Sequence, residues 1–354
     1  MLPQKLCRRV LTVGCAYRRP RGGVAQVLNS YATYVFPRFR FVCNSAGGGR
    51  LRKIWLAAGG IAALAGRALT DRRLKIVHIH TASYNSFRRS ALYVSLARWM
   101  GKKVVLHIHG GGFREYREQN KAFVRRVLNR TDCIVTLSED WRNYFSTTLG
   151  YKNVAIVHNI VEPPHIQNAL PDGRIHALFL GRLCREKGIY DLVDAVVALP
   201  QEVRNRLTVH IGGSGEEAET EAAIHRAGLD KCFAMEGWVD GPKKTTLLNR
   251  ADFFVLPSYI EGLPISVLEA MSHHLPILAT PVGGIPEIVG ADNGLLVEPG
   301  NVAALSDAIA RLVADAPLRR RMGEASWQKV QPYLPENIER ELTRLYTELL
   351  NEPA

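Results

Sequence analysis

Short apolar runs recur along this chain, separated by longer stretches in which apolar residues return every three or four positions. Residues 9–13 (RVLTV), 40–43, 76–79 (IVHI), 104–108 (VVLHI), 133–137 (CIVTL) and 154–157 are brief and rich in β-branched side chains, as strands buried on both faces are. Between them, 24–35, 90–100, 121–129 and 139–147 carry helical periodicity. The second half repeats the grammar, with strands expected at 175–180, 207–211, 233–235, 253–256 and 277–279. Strand and helix in alternation predict parallel sheets covered on both faces. A polar connection over 159–174, containing PPH and PDG, divides the series. The fold class expected is therefore α/β: two doubly wound, Rossmann-like parallel-sheet domains, 1–165 and 166–334, facing each other across a cleft. The last segment, 335–354, is expected to be a helix that packs back on the first domain, with Ile338, Leu342, Leu345 and Leu349 on one face.

At 354 residues the chain is too long for one ordinary domain. No run reaches the roughly 18 to 20 apolar residues that span a bilayer, and the short VLTV run near the start lacks the longer apolar region of a signal peptide. Six cysteines without a CxxC pair suit buried thiols in a reducing cytoplasm rather than a disulfide or zinc framework. The net charge of +13 hides an asymmetry: residues 1–165 hold 28 lysines and arginines against 7 acidic residues, and the remainder holds 18 against 26. The basic half faces something anionic: nucleic acid, a phospholipid surface or a pyrophosphate-bearing substrate. Nucleic acid fits least, because aromatic residues are not interleaved with the basic ones as stacking platforms.

Ligands of open parallel sheets sit beyond the carboxyl ends of the strands, near helix N-termini. After the first strand comes a basic loop, 18–23, ending in Gly22 and Gly23. The pair serves either a turn or close backbone approach to a phosphate. It is not GxGxxG, so a nicotinamide cofactor gains no support. After 104–108 comes His109 with Gly110, Gly111 and Gly112 behind it, a structural histidine or a ligand contact. After 175–180, Arg182 and Lys187 bracket a loop, matching the two charges of a diphosphate or forming solvated surface. GGSG follows the next strand. The stretch SYIEGLPISVLEAM, 258–271, places Pro264 at the first turn of a helix whose amides and dipole attract phosphate. Glu261 lies just outside that start and Glu269 about one and a half turns inside; carboxylates there suit the hydroxyls of a sugar and of a ribose.

Taken in order, RGGVAQV, HIHGGGF, GRLCREKG, GGSG, EGWV at 236–239, LPSYIEGLPISVLEAM and VGGIPEIV at 282–289 resemble glycosyltransferase family 4 over nearly the whole chain. This is the GT-B group of retaining, nucleotide-sugar-dependent enzymes, here of the bacterial cell-envelope and exopolysaccharide type. The resemblance implies that Arg182 and Lys187 bind the donor diphosphate and stabilise the departing nucleotide. It implies that Glu269 holds the ribose, that Glu261 contacts the donor sugar, and that His109 contacts it near the reacting carbon. Gly22 and Gly23 would approach the phosphates, and the stretch around Trp238 would lie beside the base. Pro264 stands where many relatives have glycine, which leaves Leu263 and Ile265, next to Gly262, as phosphate contacts. With no DxD motif, no metal and no cofactor beyond the donor are expected, and no protein nucleophile is demanded.

The expected function is hexosyl transfer from a UDP- or GDP-linked sugar to a lipid-linked or polysaccharide acceptor, as in lipopolysaccharide or exopolysaccharide synthesis. The alternatives are a GT-B sugar-nucleotide epimerase and a non-catalytic membrane-associated scaffold of the same fold. Residues 50–75 carry an apolar run, 54–66, between basic clusters, which fits an interfacial helix as well as a helix buried on the sheet. With the basic first half, it places the protein in the cytoplasm, peripheral on the anionic cytoplasmic face of the inner membrane.

Overall fold

A computed structural model describes residues 1–18, 22–166 and 173–351, apart from the side chains of Arg50, Leu51 and Lys53. The chain forms two compact units, Met1–Ile160 with Tyr333–Ala354, and Val161–Pro332. The joins thus fall a few residues before the 165 and 334 read from the polar connection and the helical pattern; part of that connection, 167–172, lies outside the described residues.

The first unit holds β1 (Val10–Cys15), β2 (Phe41–Ser45), β3 (Ile76–Thr81), β4 (Lys103–Ile108), β5 (Cys133–Thr136) and β6 (Val154–Ile156), in the order β2-β1-β3-β4-β5-β6. Every pairing is parallel. The strands are apolar without alternation because helices cover both faces. One core layer gathers Val77, Ile79, Leu106, Phe87, Tyr93 and Phe113, all wholly buried. On the other face, the Pro335–Leu350 helix buries Ile338, Leu342, Leu345 and Tyr346. Its Tyr346 hydroxyl lies 2.6 Å from His78 Nδ1 on β3, and Glu341 binds the backbone and ring of His158, at 3.0 and 2.7 Å.

The second unit holds β7 (Ile175–Leu180), β8 (Leu207–Gly212), β9 (Phe233–Gly237), β10 (Phe253–Leu256), β11 (Ile277–Ala279) and β12 (Gly294–Leu296), in the order β12-β11-β10-β7-β8-β9, again all parallel. Strand order reverses between β7 and β10. A doubly wound sheet opens a crevice at such a reversal, beyond the carboxyl ends of the two strands.

Four elements differ from the pattern reading. The apolar run at 54–66 lies in a helix, Arg50–Thr70, that buries only one edge, through Gly60, Leu64 and Ala68, and leaves Ile54, Trp55 and Leu69 exposed. The helices read at 24–35 and 139–147 end in π-helical turns, Tyr31–Val35 and Tyr144–Thr148. β12 was not anticipated. Among the described residues no helix is long and apolar enough to cross a membrane.

Candidate active site

The loops that leave β7 and β10 meet at the reversal of the second sheet. After β7, a short 3-10 turn, Arg185–Lys187, ends at Gly188, whose φ is 70°. A Cβ at Gly188 would stand 2.0 Å from the Pro257 carbonyl oxygen, so only glycine lets the two loops touch. Across that contact the Lys187 ammonium donates to Glu261 Oε1 at 2.5 Å. The Ser258 hydroxyl donates to the same oxygen at 2.8 Å. Glu261 is 9% exposed, so its charge is compensated, as a buried carboxylate requires. It is therefore more than an acidic flank of a helix. Arg182, on the same loop as Lys187, is exposed and has no ion-pair partner among the described residues.

The Glu261 loop is braced from behind. Gly283 has φ 58°, and a Cβ there would meet the Glu261 carbonyl oxygen at 2.3 Å and that of Gly262 at 2.7 Å. Next to it, Gly284 N–H donates to the Gly262 carbonyl at 2.6 Å. Leu263 is buried, and the chain then enters a helix, Ile265–Ser272, with Pro264 as its N-cap (φ −71°, ψ 123°) rather than inside its first turn. Ile265 is the first helical residue, and the amides of that turn have no intrahelical acceptor. Glu269 lies farther along, 8% exposed, and accepts from Lys244 Nζ at 2.5 Å. Burial opposes the charge of Lys244, but Glu269 and Glu162 outweigh it and raise its pKa. Burial likewise pushes Glu162 up, against the pull of Lys244. Trp238 follows β9 half-exposed, its indole N–H donating to Asp240 at 3.0 Å.

The remaining predicted residues belong to the first unit. Gly22 is the N-cap of the Gly23–Ser30 helix with φ 102°; Arg19, Pro20 and Arg21 of the basic loop lie outside the described residues. His109 follows β4 and closes a cluster of four imidazoles. In-plane contacts join His78 to His107 at 3.3 Å and His80 to His109 at 2.9 Å. The two pairs stack, with centroids 4.4 Å apart for His78–His80 and 4.1 Å for His107–His109. Burial holds all four rings neutral: His78 and His109 are pushed down to about 3, and His80 and His107 fall well below their ordinary value.

His78, His80 and His107 offer ring nitrogens within 4.8 Å of one another, the spacing of a metal site. An imidazole's lone pair lies in the ring plane. Both ring nitrogens of His78 are already engaged, Nδ1 by the Tyr346 hydroxyl and Nε2 by His107, so the trio is read as packed core.

Sequence reasoning thus named Lys187, Glu261 and Glu269 but missed their partners Ser258 and Lys244, as well as Glu162 and His80. The second lysine of the Lys243–Lys244 pair, one turn into the helix after the EGWV stretch, was the available signal for Lys244.

Two doubly wound units, one with a charged centre at the reversal of its sheet, define a GT-B protein. The family description "Glycosyltransferase Family 4" matches residues 15–164 and "Glycosyl transferases group 1" matches 162–329. The chain belongs to glycosyltransferase family 4. Among its relatives, TuaC of Bacillus subtilis, named for teichuronic acid biosynthesis, is 32% identical over 46% of this chain and 39% of its own length. The amylovoran biosynthesis glycosyltransferase AmsK of Erwinia amylovora is 26% identical over 60% of this chain and 55% of its own. Sucrose-phosphate synthase of Thermosynechococcus elongatus shares the fold, with TM-score 0.80 and 19% identity over 97% of this chain and 99% of that one. So does HepE of Anabaena, solved with UDP, at TM-score 0.75 and 16% identity over 96% and 100%.

Proposed function

We propose that this chain is a retaining, metal-independent hexosyltransferase. It moves the sugar of a UDP- or GDP-linked donor to a lipid-linked or polysaccharide acceptor in cell-envelope glycan synthesis. The observation that carries the reading is the Lys187–Glu261–Ser258 centre at the reversal of the second sheet, beside the N-terminus of the Ile265–Ser272 helix. The names of TuaC and AmsK support the envelope setting, and the UDP in HepE supports the donor class.

As the donor's C1–O bond breaks, negative charge grows on the leaving diphosphate. Arg182, Lys187 and the first amides of the Ile265–Ser272 helix, with backbone groups of Gly262, Leu263, Gly22 and Gly23, are placed in this reading to stabilise it. Each charge-assisted contact contributes about 1.5 to 3 kcal/mol. The donor's own phosphate oxygen takes the acceptor's hydroxyl proton on the face the nucleotide leaves. Configuration is thereby kept, and no protein nucleophile takes part. Glu261, fixed by Ser258 and Lys187, contacts the sugar hydroxyls; Glu269, held by Lys244, takes the ribose; Trp238 flanks the base. His109, neutral and backed by His80, contacts the sugar through a hydrogen bond rather than a charge. The basic first unit holds the enzyme to an anionic membrane surface, on the cytoplasmic face of the inner membrane.

Calorimetric titration of UDP, GDP and ADP, with and without chelator, tests the reading. Binding of one nucleotide at micromolar concentration, lost in Glu269→Ala, is the expected result. Binding of none by the folded protein overturns it, and donor turnover without acceptor would make the chain an epimerase.

A further inference from the structure

The helices Arg50–Thr70 and Asn85–Trp99 lie side by side on one face of the first sheet, joined where the Tyr93 hydroxyl donates to the Ala57 carbonyl at 2.8 Å. Ordinary surface helices turn charge outward. The first of these turns out Ile54, 64% exposed, Trp55, 77%, and Leu69, 75%. Ala58, Ala62 and Gly66 are exposed on the same side, and from Ile54 to Gly66 there is no charged residue. Ile54, Ala58, Ala62 and Leu69 share one stripe at helical spacing, about 22 Å long. The second helix continues the face with Leu92, 54% exposed, and Trp99, 82% exposed, two turns apart.

Single exposed apolar residues are ordinary; two neighbouring helices that turn out two tryptophans, two leucines and an isoleucine are not. The sequence that carries them is strongly basic. Residues 50–103 contain twelve lysines and arginines and one acidic residue, Asp71. Arg52, Arg72, Arg73 and Arg88 are exposed on these helices or the turn between them. Apolar side chains within a basic margin complement a layer of anionic headgroups over acyl chains, and tryptophan prefers that boundary.

We propose that this two-helix face enters the headgroup layer of an anionic bilayer, with Trp55 and Trp99 inserted and Arg52, Arg72, Arg73 and Arg88 on the headgroups. The inference rests on the membrane reading above and adds the surface that makes the contact.

Flotation tests it, with vesicles of phosphatidylcholine and with vesicles in which roughly one third is phosphatidylglycerol. The protein floats with the anionic vesicles only. Trp55→Ser/Trp99→Ser weakens that binding about tenfold or more at unchanged melting temperature, since both side chains are exposed. Arg72→Gln/Arg73→Gln also weakens it, about fivefold per arginine. If the double tryptophan variant floats like the wild type, the face is wrong while the membrane reading stands. If the wild type floats with neither vesicle, both fall, and nucleotide titration reports separately on the transferase reading. A wild-type dimer that the tryptophan variant converts to monomer, with no flotation, assigns the face to a second copy and overturns the proposal.

Discussion

The stacked imidazoles of the first unit make its stability depend on pH in a calculable way. His78, His80 and His107 are at most 1% exposed, and burial holds each well below its ordinary pKa of about 6.5. Among the described residues no carboxylate is hydrogen-bonded to any of these rings; their side-chain partners are Tyr346, His109 and one another, and the backbone bond at Val157 favours the charged form of His107 less than burial opposes it. Above about pH 6.5 neither the folded nor the unfolded chain protonates them, and their contribution to stability is complete. Below it the unfolded chain binds protons that the folded chain refuses, so stability falls as pH falls. Each group then costs up to about 1.4 kcal/mol per pH unit. Integrated from pH 6.5 to 5.5, three groups cost about 3 kcal/mol, a large share of an ordinary domain's stability. Hydrogen exchange read by mass spectrometry at β3 and β4, corrected for intrinsic rates, should show roughly a hundredfold loss of protection over that unit. His107→Leu should remove about a third of the slope. Protection unchanged between pH 6.5 and 5.5 would refute the argument that these rings are buried neutral.

Gly283→Ala forces an L-residue into φ 58° with its Cβ 2.3 Å from the Glu261 carbonyl oxygen. It should cost about 1 to 3 kcal/mol and weaken nucleotide binding more than it lowers the melting temperature; thermal shift and titration separate the two. Lys244→Met leaves Glu269 buried without its cation and should destabilise the second unit by about 3 to 5 kcal/mol, read by denaturant melts. The raised pKa of Lys244 makes the pair's contribution complete at neutral pH. It is lost only as pH rises past about 10.4, so wild-type and variant melts should converge above that pH. Prolonged dialysis against a chelator should leave the melting temperature unchanged, because both ring nitrogens of His78 are already hydrogen-bonded, and on the metal-independent reading turnover should persist as well.

The strands were legible wherever burial on both faces made them continuously apolar, as at Ile175–Leu180, read to the residue. β12 has three residues, Gly294–Leu296, one of them glycine, too short for any period to show. The π-helical turns at Tyr31–Val35 and Tyr144–Thr148 keep helical spacing of apolar residues, so nothing in the pattern marks the change. At the site, Glu261 and Glu269 stood out because one helix start carries both. Lys244 lies 25 residues before its partner and Lys187 lies 74 before Glu261; side chains that meet only after folding leave no local signature. His78 was hidden because IVHI reads as a strand whichever face its histidine takes, and His80 lies one residue beyond that run.

The Pro335–Leu350 helix belongs to the unit that the chain began. Its Tyr346 caps His78 on β3, and the helix packs on the Tyr31–Val35 turn, which lies against His80 on the same side of the sheet through Tyr31. During synthesis the first sheet must therefore wait, with His78 and its side of the sheet incompletely covered, while the whole of Val161–Pro332 leaves the ribosome. The second unit has no such dependence, so the half made later can reach its finished state before the half made first. A stalled or prematurely ended chain would then present an intact second unit beside a first one open to chaperones and proteases, whose attack should begin around β3 and β4.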